Sequence, residues 1–371
     1  MLIDRVSNQS MEIVINGRFL TQNVSGVQRY ARELLHSLDT ILEDTADIKI
    51  TVLSPSLMVP APAWRNIRLR QVGRLHGHAW EQIELPWYSR GHLLFCPGNT
   101  APILSLLSQP VVVTVHDLSY KYFPEAYHPM FRLWYRFLTP LIFRYAQSII
   151  TVSESERRAI NKHHPKAAAR LQAIPNGGFP AGISTICLEG RSSSYILCVG
   201  SFSKRKNFPR IFETACRLAR EREFNFVFVG EASKTFVNTH VHVPEDLTAK
   251  ITFVGAINDP AELVPYYCKA ACLLFPSLYE SSGLPPIEAM ACGCPVIVSD
   301  ISALRERCGD AAIYCDPTDI NSIIASVLRL MDDGALRSKL STVGLERAAK
   351  FSWRECARAT LDLLRICSRA A

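Results

Sequence analysis

The stretch 280-ESSGLPPIEAMACGCPVIVSD-300 decides the fold. Glu280 and Glu288 stand eight positions apart, with Gly283, Pro285 and Pro286 between them. Prolines fit the first turn of a helix, where a missing N–H leaves no bond unmade. Gly293 is placed to stop that helix, and Pro295 opens a β-branched run. The preceding run, 272-CLLFPS-277, is apolar throughout. A short helix between two continuous apolar strands is the unit of a parallel sheet covered on both faces.

The same rhythm extends in both directions. Strands are predicted at 12-EIVIN-16, 49-KITVLS-54, 92-HLLFC-96, 111-VVVTVH-116 and 148-SIITVS-153, then at 195-YILCVG-200, 225-NFVFVG-230, 251-ITFVG-255, 272-CLLFPS-277, 295-PVIVSD-300 and 311-AAIYCD-316. Helical patterns fall between them, as in 27-VQRYARELLHSL-38, 207-NFPRIFETACRLARE-221 and 320-INSIIASVLRLMDD-333. The pattern occurs twice, which predicts an α/β protein of two Rossmann-like, doubly wound domains. The break is 176-NGGFPAGISTICLEGRSSS-194, rich in Gly and Ser and without periodicity. Residues 1–178 and 191–351 are the two expected domains, and residues 1–10 read as a loose extension.

At 371 residues the chain is long enough for two cores. Its 48% apolar and 20% charged content is that of a soluble globular protein. No apolar run has the length of a membrane span, and 1-MLIDRVSNQS-10 lacks the layout of a signal peptide. The twelve cysteines show no CxxC pair and no zinc spacing, which predicts reduced, mostly buried thiols in a cytoplasmic protein. The net charge of +7 favours anionic partners, but no nucleic-acid-binding motif is present.

Ligands of doubly wound sheets bind beyond the carboxyl ends of the strands. If the two domains face each other, the strand ends of both meet in one cleft. Gly26 precedes an amphipathic helix, where backbone donors suit a phosphate or merely cap a loop. His116-Asp117 follows the fourth predicted strand; such a pair is a ligand contact or, more commonly, structural. In 200-GSFSKRKNFPRIF-212, Arg205 and Lys206 precede a helix and suit a diphosphate, unless they form an ordinary solvated basic loop. This is not a P-loop, because the GxxxxGK[ST] pattern is absent. In the opening stretch, backbone donors of Ser282, Gly283, Leu284 and Ile287 are expected at a helix start flanked by two carboxylates. A glycoside-hydrolase acid pair normally holds a sugar ring between its carboxylates, so hydroxyl acceptance beside a diphosphate fits better.

With these residues in hand, the chain resembles the retaining glycosyltransferases of the GT-B fold, family 4. The strongest match is the E-x7-E pair inside 276-PSLYESSGLPPIEAMACGCPVI-297. Support comes from 199-VGSFSKRKN-207, 25-SGVQRY-30, 148-SIITVSE-154, 174-IPNG-177, 315-CDPTD-319 and 351-FSWRECARATLDLL-364. The segment 80-WEQIELP-86 is similar to a subgroup of bacterial surface-polysaccharide enzymes. The resemblance implies two domains facing across a cleft, with the final helix, 352–371, completing the first.

It also implies roles. Glu288 binds the ribose, Glu280 the donor sugar, and Arg205 and Lys206 neutralise the diphosphate. Gly283 and Leu284 offer backbone N–H groups, with Ser282, Ser201 and Gly230 in the nucleotide-binding set. Gly26, with Gln28 close by, packs against the diphosphate, and His116 contacts the donor sugar. Two departures stand out. The chain has 280-ESSG-283 where the family often has Glu-Gly-Phe-Gly, and Ser201 where many members carry arginine.

The implied reaction moves a hexose from a nucleotide diphosphate sugar, GDP-mannose by the subgroup resemblance, with retention at the anomeric carbon. No Asp-x-Asp motif is present, and no metal or cofactor is expected. The implied acceptor is a glycan or a glycan on a polyprenol diphosphate, at the inner face of the cytoplasmic membrane. The segment 131-FRLWYRFLTPLIFRYAQ-147 reads either as a peripheral membrane contact or as core helices with snorkelling arginines, with Pro140 interrupting it. A sugar-nucleotide 2-epimerase of the same architecture and a non-catalytic sugar-nucleotide-binding subunit are the competing readings.

Overall fold

The computed structural model describes residues 11–22, 24–45, 47–57, 62–180, 195–231, 242–257 and 259–369. The expected extension 1–10 and residues 181–194 of the expected linker lie outside them. The chain forms two units. One contains the chain up to Asp117, Leu133–Pro175 and the carboxyl-terminal segment from Trp353; the other contains Leu118–Arg132 and Asn176–Ser352.

The first unit is built on β1 (Met11–Asn16), β2 (Ile48–Ser54), β3 (Ile67–Gln71), β4 (Leu93–Cys96), β5 (Val111–Thr114), β6 (Ser148–Thr151) and β7 (Leu171–Ala173). They pair in the order β3-β2-β1-β4-β5-β6-β7, every pair parallel. The order reverses between β1 and β4, so the crevice of this sheet opens beyond Asn16 and Cys96. The helix Gly26–Ile41 buries Tyr30, Leu34, Leu35 and Leu38, and the final helix Trp353–Arg369 packs on it. Trp353 is buried with its ring 6.0 Å from that of Tyr30, and Gln147 donates to the Cys367 carbonyl at 2.9 Å.

The second unit holds β8 (Tyr195–Val199), β9 (Phe226–Val229), β10 (Ile251–Gly255), β11 (Ala270–Phe275), β12 (Val296–Ser299) and β13 (Ala312–Cys315). Their order is β10-β9-β8-β11-β12-β13, again parallel throughout, with the reversal between β8 and β11. Alternate residues of one strand enter opposite layers. Cys272 and Leu274 of β11 pack with Ile196, Phe208 and Phe228. Leu273 and Phe275 pack with Leu197, Ile287 and Met290.

All eleven predicted strands form, and two more appear. The sequence of β7 is only three residues long, and β3, 67-IRLRQ-71, is an edge strand with charged side chains. Neither carries the apolar run that marks a doubly covered strand. The start of β3 is set instead by Asp39, whose carboxylate accepts from the backbone N–H groups of Arg65 (2.9 Å), Asn66 (2.7 Å) and Ile67 (2.8 Å).

Two expectations need correction. The helix Pro129–Tyr145 runs through Pro140 without ending there. A proline inside a helix forfeits one backbone bond, and the buried side chains Leu138, Ile142 and Phe143 on either side of it hold the helix together. The thiols are not uniformly reduced: ten described cysteines are free, but Cys268 is disulfide-bonded. Among the described residues no helix is long and apolar enough to cross a membrane.

Replacing Asp39 by alanine leaves three backbone donors at the entry of β3 without their carboxylate. We expect a loss of about 3 kcal/mol, measured as a shift of the denaturant midpoint at unchanged m.

Candidate active site

Beyond the reversal point of the second sheet, three loops are tied to one another. The loop after β8 ends at Asn207, which adopts a left-handed backbone (φ 60°) and caps the helix Phe208–Glu221. Its buried side-chain amide donates to the carbonyls of Pro276 (2.9 Å) and Pro317 (2.7 Å). Leu278 N–H donates to the Arg205 carbonyl at 2.9 Å, and Arg205 Nη1 to the Tyr279 carbonyl at 3.3 Å. The loops after β8, β11 and β13 are therefore fastened into one piece.

Within that piece Lys206 Nζ lies 2.5 Å from Glu280 Oε1 and 4.8 Å from the centroid of the Phe275 ring. The pair is mostly shielded, with 15% of the lysine and 8% of the glutamate side chain exposed. Burial pushes the Glu280 carboxyl up, but Lys206 and Arg205, with hydrogen bonds from Lys206 and Ser277, bring it below the ordinary range. Sequence reading assigned Lys206 to a diphosphate and Glu280 to a sugar; the structure joins them to each other. Two cations and one carboxylate leave one net positive charge at the ends of β8 and β11. A shallow recess there is lined by Gly200, Ser201, Lys206, Phe275 and Ser277, among others.

The helix Leu284–Ala291 begins as expected, with Pro285 and Pro286 in its first turn and Gly293 (φ 65°) after its end. Gly283 is its left-handed N-cap, and a Cβ there would sit 2.8 Å from Leu304 Cδ2. That contact and the positive φ (66°) both require glycine. Glu288 lies in the second turn, 1% exposed, and accepts from the Tyr267 hydroxyl at 3.0 Å. Ser201 is exposed, and its hydroxyl meets that of Ser203 at 3.3 Å. Among the described residues, the buried Ser282 hydroxyl oxygen has no hydrogen-bond partner. Gly230 has a packing reason: at φ 149°, its Cβ would fall 2.0 Å from the Gly200 carbonyl oxygen.

In the first unit, Gly26 opens the helix Gly26–Ile41, and among the described residues no atom outside its chain neighbours and its own helix backbone lies within 4 Å of where a Cβ would stand. Gln28 closes a capping box, accepting from Ser25 N–H at 3.2 Å and donating to Gln22 at 2.9 Å. His116 is buried, with Nε2 2.9 Å from the Pro97 carbonyl and its ring 4.6 Å from that of Tyr30. A carbonyl only accepts, so Nε2 carries the proton, and any ligand bond falls to Nδ1. Burial lowers the His116 pKa, which keeps the ring neutral, although Pro97 and Asp117 act the other way.

Sequence reading missed a network at the reversal point of the first sheet. Glu81 is fully buried, on a π-helical turn spanning Trp80–Glu84. Its Oε1 accepts from Asn16 Nδ2 (2.7 Å) and Thr100 Oγ1 (2.8 Å) and lies 3.3 Å from Arg18 Nε; its Oε2 meets His78 Nδ1 at 3.1 Å. Burial raises the carboxyl's pKa, but Arg18, His78 and Thr100 reverse that and hold it at about 2. Neighbouring residues of the turn are also engaged. Trp80 Nε1 donates to the Val72 carbonyl, Gln82 bonds Ala101 and Ile103, and Glu84 accepts from the N–H groups of Arg74 and Leu75. The signal in the sequence was 80-WEQIELP-86 itself, a dense polar run that no amphipathic pattern explains. Among the described residues no group of three or more His, Cys, Asp or Glu is placed to hold a metal.

Comparison with known proteins agrees with the fold of two parallel-sheet α/β domains. A model described as Glycosyltransferase Family 4 matches residues 24–177, and one described as Glycosyl transferases group 1 matches residues 193–333. The chain is 29% identical over 273 residues to O-antigen chain mannosyltransferase B of Escherichia coli, covering 69% of this chain and 70% of that protein. It is 29% identical over 225 residues to O-antigen chain mannosyltransferase RfbU of Salmonella typhimurium (strain LT2), covering 60% of each. Sucrose-phosphate synthase from Thermosynechococcus elongatus superposes with a TM-score of 0.73 at 20% identity, over 97% of this chain and 100% of that one.

The depressed carboxyl of Glu81 has a sign. Its contribution to stability is full above the ordinary value of 4.5 and is lost as pH falls toward about 2. Equilibrium unfolding of Glu81→Gln is expected to show a flatter dependence on pH across that window than the parent chain.

Proposed function

The chain belongs to the glycosyltransferases, a family 4 domain followed by a group 1 domain in a GT-B fold, and from that premise we propose a retaining, metal-independent hexosyltransferase. The proposed donor is GDP-mannose. The proposed acceptor is a glycan, free or carried on a polyprenol diphosphate, in surface-polysaccharide synthesis. Two relatives at 29% identity bear the name O-antigen chain mannosyltransferase, which supports mannose as the sugar.

The observation that carries the reading is the joined set of Arg205, Lys206 and Glu280 beside the start of the helix Leu284–Ala291. Breaking the donor's anomeric bond builds negative charge on the leaving diphosphate. Fixed cations and the partial positive charge of a helix N-terminus stabilise that charge without reorganising. In this reading Glu280 keeps Lys206 extended toward the phosphates and accepts a hydroxyl of the donor sugar. Gly283 and Leu284 donate backbone N–H groups, and Glu288 accepts from the ribose. His116 contacts the donor sugar through Nδ1. A diphosphate oxygen takes the acceptor hydroxyl's proton as the new C–O bond forms, so no protein base is needed. The exposed Met130, Leu133 and Phe137, beside Arg136, suit a peripheral contact with an anionic bilayer at the cytoplasmic face.

A thermal-shift screen with GDP-, UDP- and ADP-sugars tests the donor: the cognate one at 100 times its Kd is expected to stabilise by about 2.7 kcal/mol. Glu288→Ala and Lys206→Ala should each weaken donor binding about tenfold or more, at about 1.4 kcal/mol per tenfold. Nucleoside diphosphate should be released only with an acceptor present, should persist in chelator, and should leave a product with the donor's anomeric configuration by NMR. Interconversion of donor sugars without acceptor would overturn the reading in favour of an epimerase.

A further inference from the structure

The donor chemistry leaves one built feature unused: the buried network around Glu81. It sits where the first sheet opens. Asn16 ends β1, Arg18 follows two residues later, and Thr100 lies just past β4. These are the two strands at which the order reverses. Packing alone gives little reason to bury a charged carboxylate here, since desolvating an ion costs several kcal/mol before any partner repays it. A local π-helical turn, a device found frequently at functional sites, carries it.

The network ends at a side chain that faces outward. Glu81 is inaccessible, while 42% of the His78 side chain is exposed. An ionised carboxylate only accepts hydrogen bonds, so the His78 nitrogen 3.1 Å from Glu81 Oε2, Nδ1, must carry a proton. In the neutral ring Nε2 then holds a lone pair and is a hydrogen-bond acceptor. Trp134 stands edge-on to it, with ring centroids 5.8 Å apart at 62°. The Trp134 Nε1 atom is buried and has no hydrogen-bond partner among the described residues. An imidazole acceptor of fixed tautomer beside an indole is a recognition set for a hydroxyl-bearing ring: the acceptor nitrogen takes an O–H, and the indole carbons offer an apolar neighbour to the ring's C–H face.

We propose that His78, oriented by Glu81, accepts a hydrogen bond from a hydroxyl of the acceptor's terminal sugar, with Trp134 beside that ring. Glu81 is the positioning residue and His78 the contact. The assignment rests on the glycosyl-transfer reading for its ligand, but its test does not require turnover. The simpler alternative is that the network only pins the π-helical turn to β1 and β4, in which case His78 is dispensable.

The experiment uses the full chain labelled with 15N-histidine and a short α-mannoside at millimolar concentration as the probe. The expected result is a shift of the His78 Nε2 resonance that saturates with the mannoside, and mannoside binding weakened at least tenfold in His78→Ala. In kinetic assays the same variant should raise the acceptor KM at least tenfold and leave the donor Kd within twofold. His78→Gln, whose amide reaches near the Nε2 position, should recover part of the loss. Because His78→Ala leaves the Asn16, Thr100 and Arg18 contacts to Glu81 in place, its melting temperature is expected to stay close to that of the parent. An unshifted His78 resonance, or mannoside affinity unchanged in His78→Ala, overturns the proposal. Equal losses of donor and acceptor affinity overturn it as well. Mannoside binding at His78 in a protein that transfers no sugar would instead refute the functional reading and leave this site standing.

Discussion

The side-chain amide of Asn207 is the contact on which the second unit's site depends. It donates to the carbonyls of Pro276 and Pro317, and so fastens together the loops that follow β8, β11 and β13. Parallel strands leave their carboxyl ends as loops, and loops alone do not hold charges to within a fraction of an ångström. Asn207 immediately follows Arg205 and Lys206, so the residue that locks the loops also sets where the two cations stand. The left-handed backbone it adopts is one that asparagine tolerates better than most residues. Glu280 then completes the arrangement, because its carboxylate needs Lys206 as much as Lys206 needs a fixed position. The pair is nearly neutral by itself. The surplus positive charge comes from Arg205 and from the helix that starts at Leu284, both aligned before any ligand arrives.

The first unit solves a related problem by different means. Among the described residues, its reversal point carries no cation pair beside a helix start. It carries one buried carboxylate surrounded by Asn16, Arg18, Thr100 and His78. Where the second unit gathers positive charge, the first surrounds its carboxylate with partners and ends in the partly exposed imidazole of His78.

Much of this was legible in the residues. Eleven strands could be read from apolar runs, because a strand covered on both faces has to be apolar at every position. The prolines and glycines around Glu280–Glu288 marked a helix start and stop, since their backbone limits hold in any context. The missing strands fail for the same physical reason in reverse: β3 is an edge with charged side chains and is positioned by Asp39, 28 residues before Ile67. Pro140 was misread because its local penalty is real but smaller than the packing of Leu138, Ile142 and Phe143. Gly230 was grouped with ligand contacts, and the structure gives it a reason in the close approach of the Gly200 carbonyl.

The sequence by itself determined the architecture and the family. Both rest on local rules, the period of apolar residues and the backbone preferences of Gly and Pro, and on a motif of fixed spacing. Only the tertiary structure decided which charges meet. Lys206 and Glu280 are 74 positions apart, and Glu81 and Asn16 are 65 apart. No local preference couples such residues; strand order does, by bringing the ends of β8 to β11 and of β1 to β4. Whether a carboxylate is a ligand contact, a partner for a lysine or the hidden support of a histidine is set by burial and by neighbours within about 3 Å, the reach of a hydrogen bond, and those neighbours exist only once the sheets have formed.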